Sequence, residues 1–215
     1  MKKIKYIMLT CLLTASLGVE AKSMKDLLVS MPDEMMPTLS SNMRLEFAEL
    51  QEMGGKAEVK NLLGEVSVMD TLTQDFVQVR MSKVSTLQMK KLPMENGDSV
   101  LCVVKSFAGP EKEGELYFFS QEWKVLDASR FWGGKCIEDL AETLIQKPDT
   151  MSESRFADLK AMIEPKMVSA LLFQNENALV VRLASPLLSA DDKKAVNVIK
   201  LQRKFNWSNG SFKES

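Results

Sequence analysis

Three groups of carboxylates have the residue types and spacing that acid–base chemistry would need: Asp70 with Asp75, Glu111 with Glu113 and Glu115, and Asp191 with Asp192. Glycoside hydrolysis requires two carboxyl groups held across a cleft, about 5–10 Å apart. Each group also has a plainer local reading. Asp70 and Asp75 flank Thr71-Leu72-Thr73-Gln74, a turn and cap before a strand. Glu111, Glu113 and Glu115 alternate with Lys112 and Gly114 in a polar loop. Asp191 and Asp192 follow Ser189 at a helix start, where negative charge is favoured. No catalytic residue is assigned on this basis.

Other chemistries are excluded by composition. The chain contains no histidine, which removes Ser-His-Asp triads, Cys-His pairs and histidine zinc sites. Of the three cysteines, Cys11 lies in the N-terminal leader described below. Cys102 and Cys136 alone cannot build a four-sulfur metal site. They could pair in an oxidising compartment, given Cα atoms within about 7 Å. Gly133-Gly134-Lys135-Cys136 places Cys where a phosphate loop needs Ser or Thr for magnesium, and Ser129 where it needs its first Gly. Gly54-Gly55-Lys56 and this segment read as helix-boundary turns. No calcium loop of the Asp-x-Asp-x-Asp-Gly kind occurs, and no metal or cofactor is expected.

Binding residues remain. Trp123, Trp132 and Trp207 could stack on a sugar or a protein partner, though strand aromatics also build cores. The chain has 15 methionines, crowded toward its start, which suits pliable packing. Asp70-Thr71-Leu72, Asp98-Ser99-Val100 and Asp149-Thr150-Met151 match an Asp-Ser/Thr-apolar acceptor pattern. Thr71, Ser99 and Thr150 are therefore candidate O-glycosylation sites on an exported protein.

Export is expected from residues 1–21. Lys2, Lys3 and Lys5 precede the apolar run Ile7–Leu17, and Val19-Glu20-Ala21 supplies a cleavage site between Ala21 and Lys22. The run is shorter than the roughly 20 residues that span a bilayer. Thr10 before Cys11 does not suit lipidation. The formal net charge is −1, and removing the leader takes away three lysines and one glutamate. No basic field draws this chain to nucleic acid, and no later segment should cross a membrane.

The elements that would position these residues follow from periodicity. Ser40 or Ser41 caps a helix with Leu45, Phe47, Ala48, Leu50 and Met53 on its apolar positions, ended by Gly54-Gly55. A second short helix is expected over 57–63. Strands follow at Phe76–Met81, around Leu87–Pro93, at Val100–Phe107 and across 115–126. Helices recur at Ile137–Ile145 and after Ser152. Strands are then expected at 167–173, 179–184 and 196–207, with Asn175-Glu176-Asn177 as a turn and a short last strand after Asn209-Gly210. The expected class is α+β, with antiparallel sheets and packed helices. The order of elements reads as two divergent tandem helix-plus-sheet units, 22–130 and 131–215, in which Trp123 and Trp207 correspond. One continuous domain is the alternative.

Met31-Pro32-Asp33-Glu34-Met35-Met36-Pro37 with Leu39, Asn42, Arg44 and Leu45, then Lys56–Gly64 and Thr71–Phe76, carry a resemblance. Together they resemble the Bacteroidales-restricted exported family catalogued as domain of unknown function 3256. The resemblance implies export, an α+β fold and a Bacteroidetes source, and brings no established activity or catalytic residue. The expected function is a periplasmic or secreted, non-catalytic binding or accessory module, with another envelope protein or a glycan as partner. A carboxylate-based glycan-acting enzyme and a structural envelope protein are the alternatives.

Overall fold

The computed structural model describes residues 22–132 and 137–215. The expected leader, with the Ala21 side of its cleavage site, and Cys136 lie outside the described residues.

Two serines start the first helices. Ser23 accepts from the Asp26 N–H (3.0 Å) to cap α1, Met24–Val29. Ser40 caps α2, Ser41–Glu52. Such caps satisfy N–H groups that have no partner inside the helix. Arg44 on α2 ties the intervening segment down. Its guanidinium donates to the carbonyls of Val29 (3.2 Å), Met31 (2.6 Å) and Leu39 (2.7 Å), and to Asp33 Oδ1 (2.9 Å). Arg44 is 1% exposed, and the planar fork with several acceptors is what makes its burial tolerable.

Seven antiparallel strands follow in sequence order across one sheet: β1 Glu58–Lys60, β2 Val66–Leu72, β3 Phe76–Arg80, β4 Ser85–Pro93, β5 Ser99–Phe107, β6 Glu113–Phe119 and β7 Val125–Leu126. Side-chain alternation gives the sheet two buried faces. Val77, Val79, Leu87, Met89, Leu101, Val103 and Phe119 pack with the α1–α2 segment. Phe76, Leu92, Val100, Cys102, Val104 and Phe118 face the other way.

That second face meets the remainder of the chain. Helices α3 Ile137–Leu144, α4 Glu153–Ala161 and α5 Ala190–Val196 accompany a four-stranded antiparallel sheet. Its strands are β8 Met167–Leu172, β9 Ala178–Ala184, β10 Gln202–Ser208 and β11 Ser211–Glu214, with β8 at one edge. Leu172, Leu179, Val181, Phe205, Trp207 and Phe212 join the Cys102 side of the first sheet in one cluster. Phe118 and Phe131 have ring centroids 4.4 Å apart, so residues on both sides of the expected 130/131 boundary share this core. Gly114 allows β8 to approach: a Cβ there would stand 3.4 Å from the Ala170 nitrogen and 3.2 Å from the Lys105 carbonyl oxygen. The α+β class with antiparallel sheets is the observed one.

Three local expectations are corrected. Residues 57–63 do not form a helix: β1 occupies Glu58–Lys60, and Leu62 and Leu63 point to solvent. The strand expected over 115–126 stops at Phe119, and a turn with Trp123 at φ 60° leads to β7. The strand expected over 196–207 begins at Gln202, because α5 runs to Val196. Trp123 thus stands in a turn and Trp207 in a strand, and they occupy different places in their sheets.

Candidate functional site

The two sheets leave a polar cleft of about 400 Å³ where the β2–β3 turn faces the β8–β9 turn. Thr73 and Asp75 come from the first turn, Gln174, Asn175 and Asn177 from the second, and Lys90 from β4 between them. The β2–β3 turn is locally determined. Thr73 Oγ1 accepts from the Phe76 N–H (3.0 Å) and hydrogen-bonds Asp75 Oδ1 (3.0 Å), as Ser and Thr do in such turns.

Lys90 is the unusual member. Its side chain is 2% exposed. Its ammonium lies 2.7 Å from Asp75 Oδ2 and donates to the Gln174 carbonyl at 2.7 Å. The Phe76 ring centroid is 5.9 Å away. A lysine ammonium has three N–H donors, so one is left for a ligand beyond these two acceptors. Beside it the two asparagine side chains offer amide donors and acceptors. This mixture of one ion pair, a hydroxyl and several amides suits recognition of a hydroxyl-rich molecule by hydrogen bonds.

A wider depression of about 610 Å³ lies between the N-terminal helices and the β2–β3 turn of the first sheet. Its polar groups already hold the fold together. Lys91 donates to the Lys22 carbonyl (2.8 Å), Lys22 to the Gln121 carbonyl (2.9 Å), and Lys25 pairs with Glu52 (2.8 Å).

The carboxylates singled out in the sequence are engaged one by one, except Glu113, which is exposed and has no ion-pair partner among the described residues. Asp70 pairs with Arg80 (2.8 Å) and accepts from Gln78 (3.0 Å). Partial burial raises the Asp70 pKa, but the hydrogen bonds from Arg80 and Gln78 prevail and hold it below the usual carboxylate range. Glu111 pairs with Lys193 (2.6 Å), Glu115 with Lys105 (3.5 Å), and Asp191 with Lys194 (3.0 Å). Asp192 accepts from the capping Ser189 (2.6 Å). Among the described residues no group of His, Cys, Asp and Glu could hold a metal ion.

The tryptophans divide. Trp132 packs against Phe205 and Phe212, with centroids 4.9 and 4.8 Å away. Trp207 donates its indole N–H to the Pro93 carbonyl (2.7 Å). Both are buried in the inter-sheet core, so neither presents a ring to a partner. Trp123 is half-buried, packs tilted against Phe119 (ring centroids 5.2 Å apart) and donates to Ser30 Oγ (3.3 Å). Of the three acceptor positions, Thr150 is exposed in a turn, Thr71 is half-buried within β2 and Ser99 is half-buried at the start of β5. Cys102 is a free, buried thiol whose pKa burial pushes above its ordinary value.

A family model described as "Protein of unknown function (DUF3256)" matches residues 16–212. The chain belongs to this family. A solved structure titled as a domain of an uncharacterized protein from Porphyromonas gingivalis W83 is similar to it, with a TM-score of 0.70 and 22% identity. The similarity covers 89% of this chain and 98% of that one, and it extends the fold to a Bacteroidales protein. No functionally curated protein matches in sequence. Among the described residues no helix is long and apolar enough to cross a membrane. The DUF3256 match spans both sheets, so the cleft between them lies within the family region.

The sequence pointed to Asp75 but missed Lys90, Gln174 and the two asparagines as its neighbours. Lys90 and Gln174 are 84 residues apart. The one available signal was the adjacent pair Lys90-Lys91, which puts a lysine on each face of the strand Leu87–Leu92.

Proposed function

We propose that the protein is exported and acts as a non-catalytic recognition module, holding a polar, glycan-type ligand in the cleft between its sheets. The observation carrying this reading is the convergence of Lys90, Thr73, Asn175 and Asn177 around one open polar cavity. The single carboxylate lining it, Asp75, is held in an ion pair. A carboxylate glycosidase uses two, one of them free to donate a proton. Export is supported by the leader-like layout of residues 1–21.

The test is a glycan screen of the purified protein, followed by calorimetry on the best ligand. Asn175→Ala/Asn177→Ala removes exposed amides without touching the core. A loss of affinity of about tenfold or more is expected, on the scale of two hydrogen bonds. Unchanged binding by a folded double variant would remove the cleft from consideration. Turnover of the ligand would replace recognition with catalysis.

A further inference from the structure

A second groove of about 290 Å³ opens on the same face of the first sheet, at the opposite end of its strands from the inter-sheet cleft. It lies between the β3–β4 and β5–β6 hairpin tips, which are joined by a hydrogen bond from the Ala108 N–H to the Val84 carbonyl (2.7 Å). We propose that this groove binds an acidic polysaccharide, one whose sugar rings carry carboxylate or sulfate groups.

Charge is the first ground. Lys83 enters from one tip and Lys112 from the other, and no carboxylate lines the groove. Both lysines are exposed and neither has an ion-pair partner among the described residues. The nearby Lys105 is already paired with Glu115, and Arg80 on the neighbouring strand with Asp70. Lys83 and Lys112 are therefore the charged groups that line the groove, with Glu113 an unpaired carboxylate beside Lys112 but outside the lining.

The groove floor supplies the second ground. Thr86 and Ser106 face each other across β4 and β5 as Cα partners. Both are half-exposed, and neither hydroxyl is bonded among the described residues. Two adjacent hydroxyls can each donate to an anion or exchange hydrogen bonds with sugar hydroxyls. Apolar surface is the third ground. Leu171 is 50% exposed at the groove wall, a surface on which the C–H face of a sugar ring can rest. Charges from two hairpins, a hydroxyl floor and an apolar wall together fit an anionic sugar better than an isolated phosphate or a neutral glycan.

Affinity electrophoresis of the purified protein through gels containing polygalacturonate, heparin or dextran provides the test. Retardation by at least one acidic polymer but not by dextran is expected, weakening as salt rises. Retention by polygalacturonate alone assigns the carboxylate source, by heparin alone the sulfate source, and by both the shared charge. Lys83→Gln/Lys112→Gln should weaken retention about tenfold, and Thr86→Val/Ser106→Ala severalfold. Lys124→Gln/Lys213→Gln, with the same loss of charge elsewhere, should change it less than twofold. Asn175→Ala/Asn177→Ala should leave it unchanged, which separates this groove from the inter-sheet cleft. The proposal is overturned if neither acidic polymer retards the protein, if the two lysine pairs lose retention equally, or if the asparagine variant loses it as well.

Discussion

The side-chain amide of Gln88 bonds both backbone groups of Leu172: its Oε1 accepts from the Leu172 N–H (2.9 Å) and its Nε2 faces the Leu172 carbonyl (3.4 Å). A residue in the middle of one sheet thus serves the edge strand of the other as a neighbouring strand would. The same Nε2 donates to Gln78 (2.7 Å), which in turn donates to Asp70. Gln88→Leu keeps the volume and leaves the buried Leu172 groups without partners. It should cost about 1–3 kcal/mol, read by calorimetry as a Tm lower by roughly 2–4 °C per kcal/mol. Gln88→Glu keeps the acceptor and loses the donor, so it should also destabilise.

Lys90 and Asp75 should respond unequally to removal. Lys90 is buried while Asp75 is about half exposed. Asp75→Asn leaves an enclosed ammonium facing neutral acceptors, a loss on the order of 3 kcal/mol. Lys90→Met leaves a carboxylate that water can reach, and should cost about 1 kcal/mol or less. Denaturant melts of the two variants check the order, and equal losses would contradict the asymmetry.

Arg44 gathers three carbonyls from a segment that has little regular structure of its own. Arg44→Met should free residues 29–39 from α2 and cost roughly 3–5 kcal/mol. Arg44→Lys should not restore it, because a point ammonium cannot reach the same spread of acceptors. Amide hydrogen exchange should show faster exchange at Met35, Met36 and Leu39 in both variants.

Acid should remove part of the stability through Asp70. Its folded pKa lies below the ordinary value, so the unfolded chain takes up a proton first as pH falls. The contribution is present above about pH 4 and is lost as pH drops through the lowered folded value. The pair is at the surface, so the effect should stay within ~1 kcal/mol. Asp70→Asn should be less stable than the parent at pH 7, and the two curves should converge once pH has fallen through the lowered folded value.

Processing gives a direct check on export. N-terminal sequencing of the protein recovered from the envelope or medium of its own cells should begin at Lys22. Recovery from the cytoplasm with Met1 intact would rule the leader reading out.

Where side chains alternated, or ran apolar between turn residues, the sequence was readable. Phe76–Arg80 and Ser99–Phe107 are strands as their patterns indicate, and Ser40, Ser152 and Ser189 cap helices by accepting from N–H groups three residues on. The second strand was missed because its phase is inverted. Val66 is 58% exposed while Ser67 is fully buried, bonded to the Met81 carbonyl (2.6 Å). The 57–63 segment misled for a related reason: Ala57, Val59 and Asn61 are buried at strand spacing while Leu62 and Leu63 are exposed, and Asn61 accepts from the Leu63 and Glu65 N–H groups. The cleft itself was beyond local reading, since pattern rules cover neighbours in sequence and Lys90 meets Gln174 only through the packing of two sheets.

Phe212 on the last strand packs against Trp132 and Trp207, with centroids 4.8 and 5.0 Å away, and lies 6.3 Å from Phe118. The wall that closes the aromatic core thus comes from a strand far downstream of the sheet it covers. Until β11 docks, the Phe118 face of the first sheet lacks part of its cover, and apolar surface of that kind in a partly folded chain is prone to non-specific association.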